Sequence, residues 1–279
     1  MLKFRFFRRA AALIMVLVLG LSCAHAQSAL NVLLIGVDDD GGTGRSDTML
    51  LLRADPVRNE VRMVSFLRDL YVHLNGIGYT RLNAAYVHGG EGLLRKTLAD
   101  QFGVEIHRTV TVHFDLLERL VDELGGIELE LTEAERRHLN ALLEDNGEAC
   151  LLPEAGWQRL NGKQTLCFSR IRKLDSDFQR TSRQQAVIAA MIRQASSLSR
   201  WQLLRMALTY LPQLQTDLTI ADVAGLLPMV IQSDKLVFHT AQVPFEGTYR
   251  DETISGMMVL APDLEKNREK LETFLNGAE

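Results

Sequence analysis

NVLLIGV, residues 31–37, decides the fold, because this run is apolar almost throughout and stops at a cluster of aspartates and glycines. A short apolar run bounded by turn residues predicts a strand that is buried on both faces. Two further runs follow, DTMLLLRA at 47–54 and EVRMVSF at 60–66, on either side of a turn that opens at Asp55 and Pro56. These two runs predict an antiparallel hairpin.

The rest of the chain alternates helical and strand patterns. Apolar residues recur with helical spacing at residues 92–102, 114–124, about 181–197, 201–210, 219–231 and 264–275. Strand patterns occupy residues 127–131 and 235–243. Such an alternation, with at least one antiparallel pair, predicts an α/β fold. We expect a three-layer-like sandwich, in which a mixed sheet carries helices on its faces.

Residues 1–26 have the layout of a secretory signal peptide. A basic start is followed by an apolar run at 10–21 and by the sequence Ala24-His25-Ala26, which suits signal cleavage. The apolar run is shorter than the roughly 20 residues that span a bilayer. An uncleaved signal anchor is the alternative, because the basic flank would stay inside. Either way, residues 30–279 are predicted to form a single domain that is extracytoplasmic, secreted or anchored to the outer face of the cytoplasmic membrane.

Charge and composition exclude some classes of partner. The formal net charge is −4, which argues against a nucleic-acid partner, because such proteins usually present a broadly basic face. No CxxC motif or histidine-rich cluster in the sequence suggests zinc.

Two cysteines, Cys150 and Cys167, remain after the predicted signal. An oxidising compartment favours their pairing, so we predict a disulfide. Two unpaired buried thiols are the alternative.

Two aspartates are candidate metal ligands. Asp38 follows the first predicted strand and Asp47 begins the second, so both fall at the same rim of the sheet. Carboxylates that converge beside arginines can share Mg²⁺, which prefers oxygen ligands and usually keeps substrate phosphate in its shell. The alternative is a solvated turn, because Asp and Gly are common in turns for local reasons.

Arginines form a candidate anion site. Arg170 and Arg172 lie in a segment predicted as extended, where a period of two puts both guanidinium groups on one face. Arg180, Arg183 and Gln184 have the spacing of one helix face. Guanidinium groups bind phosphate oxygens in a bidentate manner, which suits a diphosphate. Surface pairing with neighbouring acids is the alternative.

An ordered set of motifs resembles one family, the LytR-CpsA-Psr proteins of bacterial cell envelopes. The motifs are LLIGVD at 33–38, GRSDT at 44–48, SFLRD at 65–69, TRLNAAYVHGG at 80–90, VDELGGIELEL at 121–131, GWQRLNGKQTLCFSRIR at 156–172, DFQRTSRQQ at 177–185 and PFEGTYRDETISGMMVLAPD at 244–263. The match covers nearly the whole chain after the signal. One departure is Phe66-Leu67, which replaces the Ile-Pro that the family usually has before the arginine of its Arg-Asp pair.

The resemblance implies a fold and an activity. It implies a hydrophobic tunnel that holds a polyprenyl chain, with Mg²⁺ and the lipid diphosphate at an arginine-rich mouth. Family members transfer glycopolymers, such as teichoic acids or capsular polysaccharide, from that carrier to peptidoglycan. The expected partners are therefore a polyprenyl-diphosphate-linked glycopolymer, peptidoglycan and the membrane surface. The alternatives are a polyprenyl-diphosphate hydrolase and a non-catalytic envelope regulator that binds lipid or polymer.

The resemblance also assigns residues. Asp38 and Asp47 take the metal, and Arg68 stabilises charge on the transferring phosphoryl group, with Asp69 either orienting it or acting as a base. The diphosphate contacts implied are Arg45, Arg68, Arg81, Arg170, Arg172, Arg180, Arg183 and Gln184. The helices at 203–214 and 223–231 are apolar on more than one side and could line the tunnel, although ordinary core packing explains them equally.

Overall fold

A six-stranded mixed sheet forms the centre of the computed structural model, which describes residues 29–37, 46–171, 176–231 and 235–277. Its strands are β1 (Leu30–Val37), β2 (Ser46–Asp55), β3 (Glu60–Phe66), β6 (Arg108–His113), β9 (Gln215–Thr216) and β10 (Val237–Val243). Their spatial order is β10-β3-β2-β1-β6-β9. Residues 1–28, which contain the predicted signal, lie outside the described part of the chain.

The register of the sheet creates one rim that matters for the site. Strand β2 pairs antiparallel with β1 and β3, whereas β6 runs parallel to β1 and β10 runs parallel to β3. Val37 pairs with Ser46 on one side and with His113 on the other. The end of β1, the start of β2 and the end of β6 therefore meet. We call this edge the rim.

Helices and three two-stranded antiparallel sheets complete the fold. The helices are α1 (Ala84–Phe102), α2 (Phe114–Glu123), α3 (Glu133–Asp145), α4 (Gly162–Ser169), α5 (Asp177–Ala195), α6 (Arg200–Tyr210), α7 (Ile220–Ile231) and α8 (Leu264–Asn276). The two-stranded sheets pair β4 (Tyr71–Leu74) with β5 (Gly78–Arg81), β7 (Ile127–Leu131) with β8 (Gly156–Leu160), and β11 (Tyr249–Ile254) with β12 (Met257–Pro262). Within the described residues, none of these helices combines the length and the apolar character that crossing a bilayer requires.

Both faces of the sheet are covered by helices. On one face, Leu33 and Leu51 pack with residues of α1 and α8, such as Leu98. On the other face, Leu50 packs with α5 and α7, which contribute Ala189 and Met229. Alternate residues of each strand thus enter opposite cores, as the pleat requires. The layered α/β sandwich predicted from the sequence is confirmed.

One predicted strand is a helix instead. The segment that holds Arg170, predicted as extended, contains α4, and that prediction is wrong for residues 166–169. The cause is a capping box: the Asn161 side chain accepts from the Gln164 backbone N–H at 2.8 Å, and the Gln164 side chain accepts from the Asn161 N–H at 2.9 Å. This reciprocal pair satisfies helix-start donors and favours a helix.

The predicted disulfide is also wrong, because both cysteines are free thiols in the structure. Helix α4 turns Cys167 into a core cluster with Leu160 and Phe168, whereas Cys150 is exposed in the loop after α3. The Gln164 side chain donates to the carbonyl oxygen of Cys150 at 3.0 Å, which fixes that loop through its backbone. Burial raises the pKa of the Cys167 thiol.

Candidate active site

A cavity lies between the sheet and helices α2 and α5. It encloses about 920 Å³ of space free of atoms, its open end included. The strands β1, β2 and β6, both helices and the end of α4 contribute its lining residues: Leu34, Ile35, Gly36, Asp47, Thr48, Leu50, Val112, Phe114, Leu117, Leu120, Ser169, Arg170, Arg180, Gln184, Val187, Ile188 and Met191. The helices at 203–214 and 223–231, considered as tunnel walls from the sequence, contribute no residue to this lining.

The lining is polar at one end and apolar at the other. Asp47 and Thr48 lie at the rim, because Thr48 pairs with Gly36 near the end of β1. Leu34 and Leu50 pair with each other deeper along the same two strands. Helix α5 repeats this order, with Arg180 and Gln184 in its first turns and Val187, Ile188 and Met191 following. Charged groups therefore meet at the rim, and aliphatic side chains line the interior.

Arg68 lies at the centre of an ion-pair network at the rim. Its Nη1 donates to Oδ1 of Asp47 at 3.0 Å, and its Nε donates to Oδ2 of Asp177 at 3.0 Å. The carboxylate of Asp69 lies 3.6 Å from the same Nε. Burial lowers the pKa of Arg68, but Asp177, Asp47 and Asp69 outweigh that cost, so its pKa is raised overall. The guanidinium group is held charged and in one orientation.

The backbone before Arg68 is fixed without the proline that the family usually carries there. The N–H of Leu67 donates to the carbonyl oxygen of Val243 at 2.9 Å, and that of Leu70 donates to the carbonyl of Leu67 at 3.2 Å. Proline at position 67 could not make the first of these bonds, because it has no N–H. The hydrogen bond to β10 thus restrains the backbone at Leu67, where the family usually has a proline ring.

Asp69 connects Arg68 to a second arginine. Its Oδ1 lies 3.4 Å from Nε of Arg81, and Arg81 also donates to the carbonyl oxygen of Met258 at 2.6 and 3.1 Å. Asp69 is therefore placed between two guanidinium groups. Arg81 thus lies beside the network, outside the cavity lining.

Three of the predicted anion contacts line the cavity at the rim. Arg180 is only 3% exposed, and its Nη1 lies 3.0 Å from Oδ1 of Asp177. Gln184 follows one helix turn later. Arg170 is the C-cap of α4, and its guanidinium carbon lies 4.3 Å from the ring centre of Phe114. Stacking on an aromatic face is favourable for arginine and fixes the plane of its guanidinium group.

Arg183 is directed to a different part of the molecule. Its Nη2 donates to the carbonyl oxygen of Ile171 at 3.0 Å, and its Nη1 lies 3.5 Å from Oε1 of Glu135 on α3. The side chain is 5% exposed and does not line the cavity. Its contacts tie α5 to α3 and to the end of α4. The structure therefore separates Arg183 from Arg180 and Gln184, with which the sequence grouped it.

Three predicted site residues, Asp38, Arg45 and Arg172, lie outside the described residues. Their assignments stay predictions.

Asp177 is the main residue that the sequence-based assignment missed. Its two carboxylate oxygens contact Arg68 and Arg180, from separate parts of the chain. It is the first residue of α5, where an acidic side chain is favoured by the partial positive charge of the helix end. An acidic residue at a helix start is common, so it does not predict the contact with Arg68, which lies 109 residues away in the sequence.

Comparisons with known proteins agree with the fold and the motifs. The model of the LytR_cpsA_psr family matches residues 14–273. Polyisoprenyl-teichoic acid–peptidoglycan teichoic acid transferase TagU of Oceanobacillus iheyensis is 35% identical over 182 residues, covering 62% of this chain and 53% of TagU. Regulatory protein MsrR of Staphylococcus aureus strain COL is 31% identical over 166 residues, covering 58% of this chain and 48% of MsrR.

Matched residues thus span about half the length of these curated relatives. A solved structure described as TagT bound to LIIa-WTA has a TM-score of 0.74 and 26% identity, covering 90% of this chain and 92% of that one. The family model spans most of the sequence and the solved structure repeats its architecture, so the chain belongs to the LytR_cpsA_psr family.

Proposed function

We propose that this protein transfers a glycopolymer phosphate from a polyprenyl-diphosphate carrier to peptidoglycan, with Mg²⁺, during assembly of the cell envelope. The observation that carries the proposal is the two-part cavity, in which an arginine–aspartate rim adjoins an apolar interior. A lipid diphosphate has the same division, because a charged headgroup is joined to a hydrocarbon chain. The names of TagU and of the TagT complex support the substrate class.

The rim residues have distinct tasks in this reaction. Arg180, Gln184 and Arg170 bind the diphosphate oxygens at the cavity opening. Arg68 stabilises the charge that develops when the acceptor hydroxyl attacks the glycan-linked phosphorus. Its bonds to Asp47 and Asp177 orient it before the reaction, so that little reorganisation is needed in the transition state. Phosphoryl transfer depends mainly on such positioning and charge stabilisation.

The bonds that change can be stated. A new bond forms between the acceptor oxygen and the glycan-linked phosphorus, and the bond from that phosphorus to the bridging oxygen breaks. Polyprenyl phosphate is the leaving group. The hydroxyl proton passes to a base, for which Asp69 is the candidate carboxylate, 3.6 Å from Nε of Arg68.

The donor groups at the rim fit Mg²⁺. Asp47 presents a carboxylate in the cavity lining, and Asp38 is the second proposed ligand. Mg²⁺ in proteins is usually held by one or two carboxylates together with substrate phosphates, the set that this rim would supply. Bound there, Mg²⁺ would neutralise charge on the diphosphate oxygens.

The reaction also implies a location. The polyprenyl carrier and peptidoglycan are both available outside the cytoplasm, at the outer face of the cytoplasmic membrane. The signal-like sequence of residues 1–26 supports that location, whether it is cleaved or remains as an anchor.

Two other functions use the same site. A hydrolase would transfer the phosphoryl group to water. A regulator, which the name of MsrR favours, would bind lipid or polymer without turnover. The preorganised Arg68 favours the transferase, because a guanidinium group held in one orientation suits charge that develops at one position in the transition state.

The deciding experiment incubates the full chain with a polyprenyl-diphosphate-linked glycan, peptidoglycan and Mg²⁺. We expect polyprenyl phosphate to be released and the glycan phosphate to become bound to peptidoglycan, both suppressed by EDTA and restored by Mg²⁺. Release of free glycan phosphate at the same rate with or without peptidoglycan would replace the transferase with a hydrolase. Tight lipid binding with no turnover in every condition would favour the regulator.

A further inference from the structure

Helix α6 carries an apolar face that no described part of the chain covers. Trp201, Leu204 and Leu208 are 70%, 40% and 61% exposed, and none of the residues of α6 is buried. At about 100° per residue, these three side chains fall within a sector of about 60°. They form a continuous stripe along the helix, which we call the α6 face.

The charge around the α6 face has one sign. Arg200 and Arg205 are exposed and flank the stripe on its two sides. Residues 193–216 include three arginines and no acidic residue, although the whole chain has a net charge of −4. A short apolar stripe that contains tryptophan and is bordered by arginines offers the two kinds of contact that an anionic membrane accepts, an apolar one with acyl chains and a charged one with lipid phosphates.

The opposite side of α6 packs near the apolar end of the cavity. Met206 packs against the cluster that includes Val121 and Leu124, and the cavity residues Leu117 and Met191 pack against that same cluster. Helix α6 follows the C-terminal end of α5, whereas the N-terminal end of α5 lies at the rim. The α6 face is therefore on the side of the molecule away from the charged rim.

We propose that the α6 face docks onto a bilayer that contains anionic lipid. Trp201, Leu204 and Leu208 enter the boundary between headgroups and acyl chains, while Arg200 and Arg205 bind lipid phosphates. A single exposed helix face is small beside the roughly 800 Å² that each partner buries in a stable protein–protein interface. A bilayer needs no shaped counterpart, so it fits this surface better. The proposal does not rest on the transfer reaction.

The two tryptophans of the chain, Trp157 and Trp201, provide a matched test. They are almost equally exposed, at 67% and 70%, but Trp157 lies on β8 and not on α6. The variant Trp157→Phe reports on Trp201 alone, and Trp201→Phe reports on Trp157 alone. The full chain of each variant is mixed with phosphatidylglycerol vesicles whose acyl chains carry bromine.

We expect the Trp201 emission to shift to shorter wavelength and to be quenched by the brominated chains several-fold more than that of Trp157. Both reporters are read in the full chain, so any recruitment of the protein to the vesicles by residues 1–28 occurs in both variants. Equal quenching of the two tryptophans would overturn the proposal.

Charge reversal tests the lipid chemistry. The double change Arg200→Glu and Arg205→Glu should abolish most of the Trp201 quenching on phosphatidylglycerol, and Arg250→Glu, at an exposed arginine on β11, should not. On phosphatidylcholine vesicles, Trp201 quenching should be the same with the wild-type arginines at positions 200 and 205 as with the double change to glutamate. If acrylamide cannot quench Trp201 before vesicles are added, another protein segment or a second copy covers the face, and the proposal is wrong.

Discussion

The rim and the interior of the cavity differ in what holds them together. At the rim, Arg68 and Arg180 are joined through Asp177 by contacts of 3.0 Å, so each charged group has a defined direction. In the interior, Val187 and Ile188 line the space with aliphatic groups, whose attraction for a ligand has little direction. The contrast indicates that the rim decides which headgroup reacts and how fast, whereas the interior decides how much hydrocarbon is bound.

Removing the central charge should have the largest effect. Arg68→Ala should lower turnover roughly 10²- to 10³-fold, the usual cost of losing a group that stabilises the transition state. The KM for lipid should change little, because Arg180, Gln184 and Arg170 remain. Steady-state kinetics with the lipid-linked glycan measures both. Arg53→Ala is the control, since that arginine donates to Asn31 at the other end of β2. Equal losses in the two variants would contradict the role given to the rim.

A variant of Arg183 tests whether this buried residue stabilises the fold or binds the diphosphate. Arg183→Gln should lower the free energy of unfolding by about 2 kcal/mol, because the bonds to Ile171 and Glu135 are lost in a buried setting. Urea titration measures this change, and turnover per folded molecule should be retained. The adjacent Gln184→Ala should show the reverse pattern, weaker lipid binding with little loss of stability. A fall in lipid affinity for Arg183→Gln would return this residue to the diphosphate site.

Asp177 tests the positioning of the rim. Asp177→Asn should lower kcat about tenfold and leave KM nearly unchanged, since one charge-assisted contact to each arginine becomes a neutral one. Asp177→Glu should restore part of kcat. Asp263→Asn is the control, because that aspartate also begins a helix but pairs with Lys266. If kcat is the same for Asp177→Asn and wild type, the bridge between the arginines has no part in the reaction.

Filling the cavity interior should weaken binding of the hydrocarbon chain and leave binding of the headgroup unchanged. Ile188→Trp places extra volume in the cavity and should raise the KM for a long polyprenyl substrate roughly fivefold, the lower end of the cost of overpacking. A short-chain analogue with the same diphosphate should keep its KM, because it does not reach this depth. Kinetics with a series of chain lengths measures the difference. An equal rise for both substrates would mean that the change had disturbed the rim.

The smallest effect is expected at an ion pair away from the cavity, between Arg108 and Asp222. Burial raises the pKa of Asp222, but bonds from Arg108 and Thr219 outweigh it and lower the pKa overall. A lowered folded-state pKa gives stability that is present above the unfolded value, about 3.9, and is lost as the pH falls through the folded value.

Asp222→Asn should therefore cost about 0.5 kcal/mol at pH 6, and the difference from wild type should shrink below about pH 4. Denaturant titrations at both pH values measure it. A difference that grows in acid would contradict the direction of this shift.

Local sequence patterns were sufficient for many elements. The apolar runs predicted β1, β2 and β3, and helical spacing predicted α2, α5, α6, α7 and α8 to within a few residues. Patterns of this kind depend on the period of each backbone, which is a property of neighbouring residues. Helix α1 begins earlier than predicted, at Ala84, because a kink at Gly89 and Gly90 interrupts its spacing.

The site could be predicted only in part. Motif order identified the family and the set that includes Asp47, Arg68, Arg180 and Gln184, and the structure brings these four residues to the rim or the cavity lining. The sequence could not show that Arg180 lines the cavity whereas Arg183 does not, because helical spacing does not reveal what packs on each side of the helix.

By itself the sequence determined the strands β1, β2, β3, β7 and β10, most helices, the family and the chemical types at the rim, because these follow from local periodicity and from residue order. Tertiary structure alone decided that Asp177 bridges Arg68 and Arg180, that α2 and α5 enclose the cavity, and that Cys150 and Cys167 stay apart. Each of these depends on contacts between residues far apart in the chain. The direction of a side chain there is set by the elements that pack against it, which no short stretch of sequence contains.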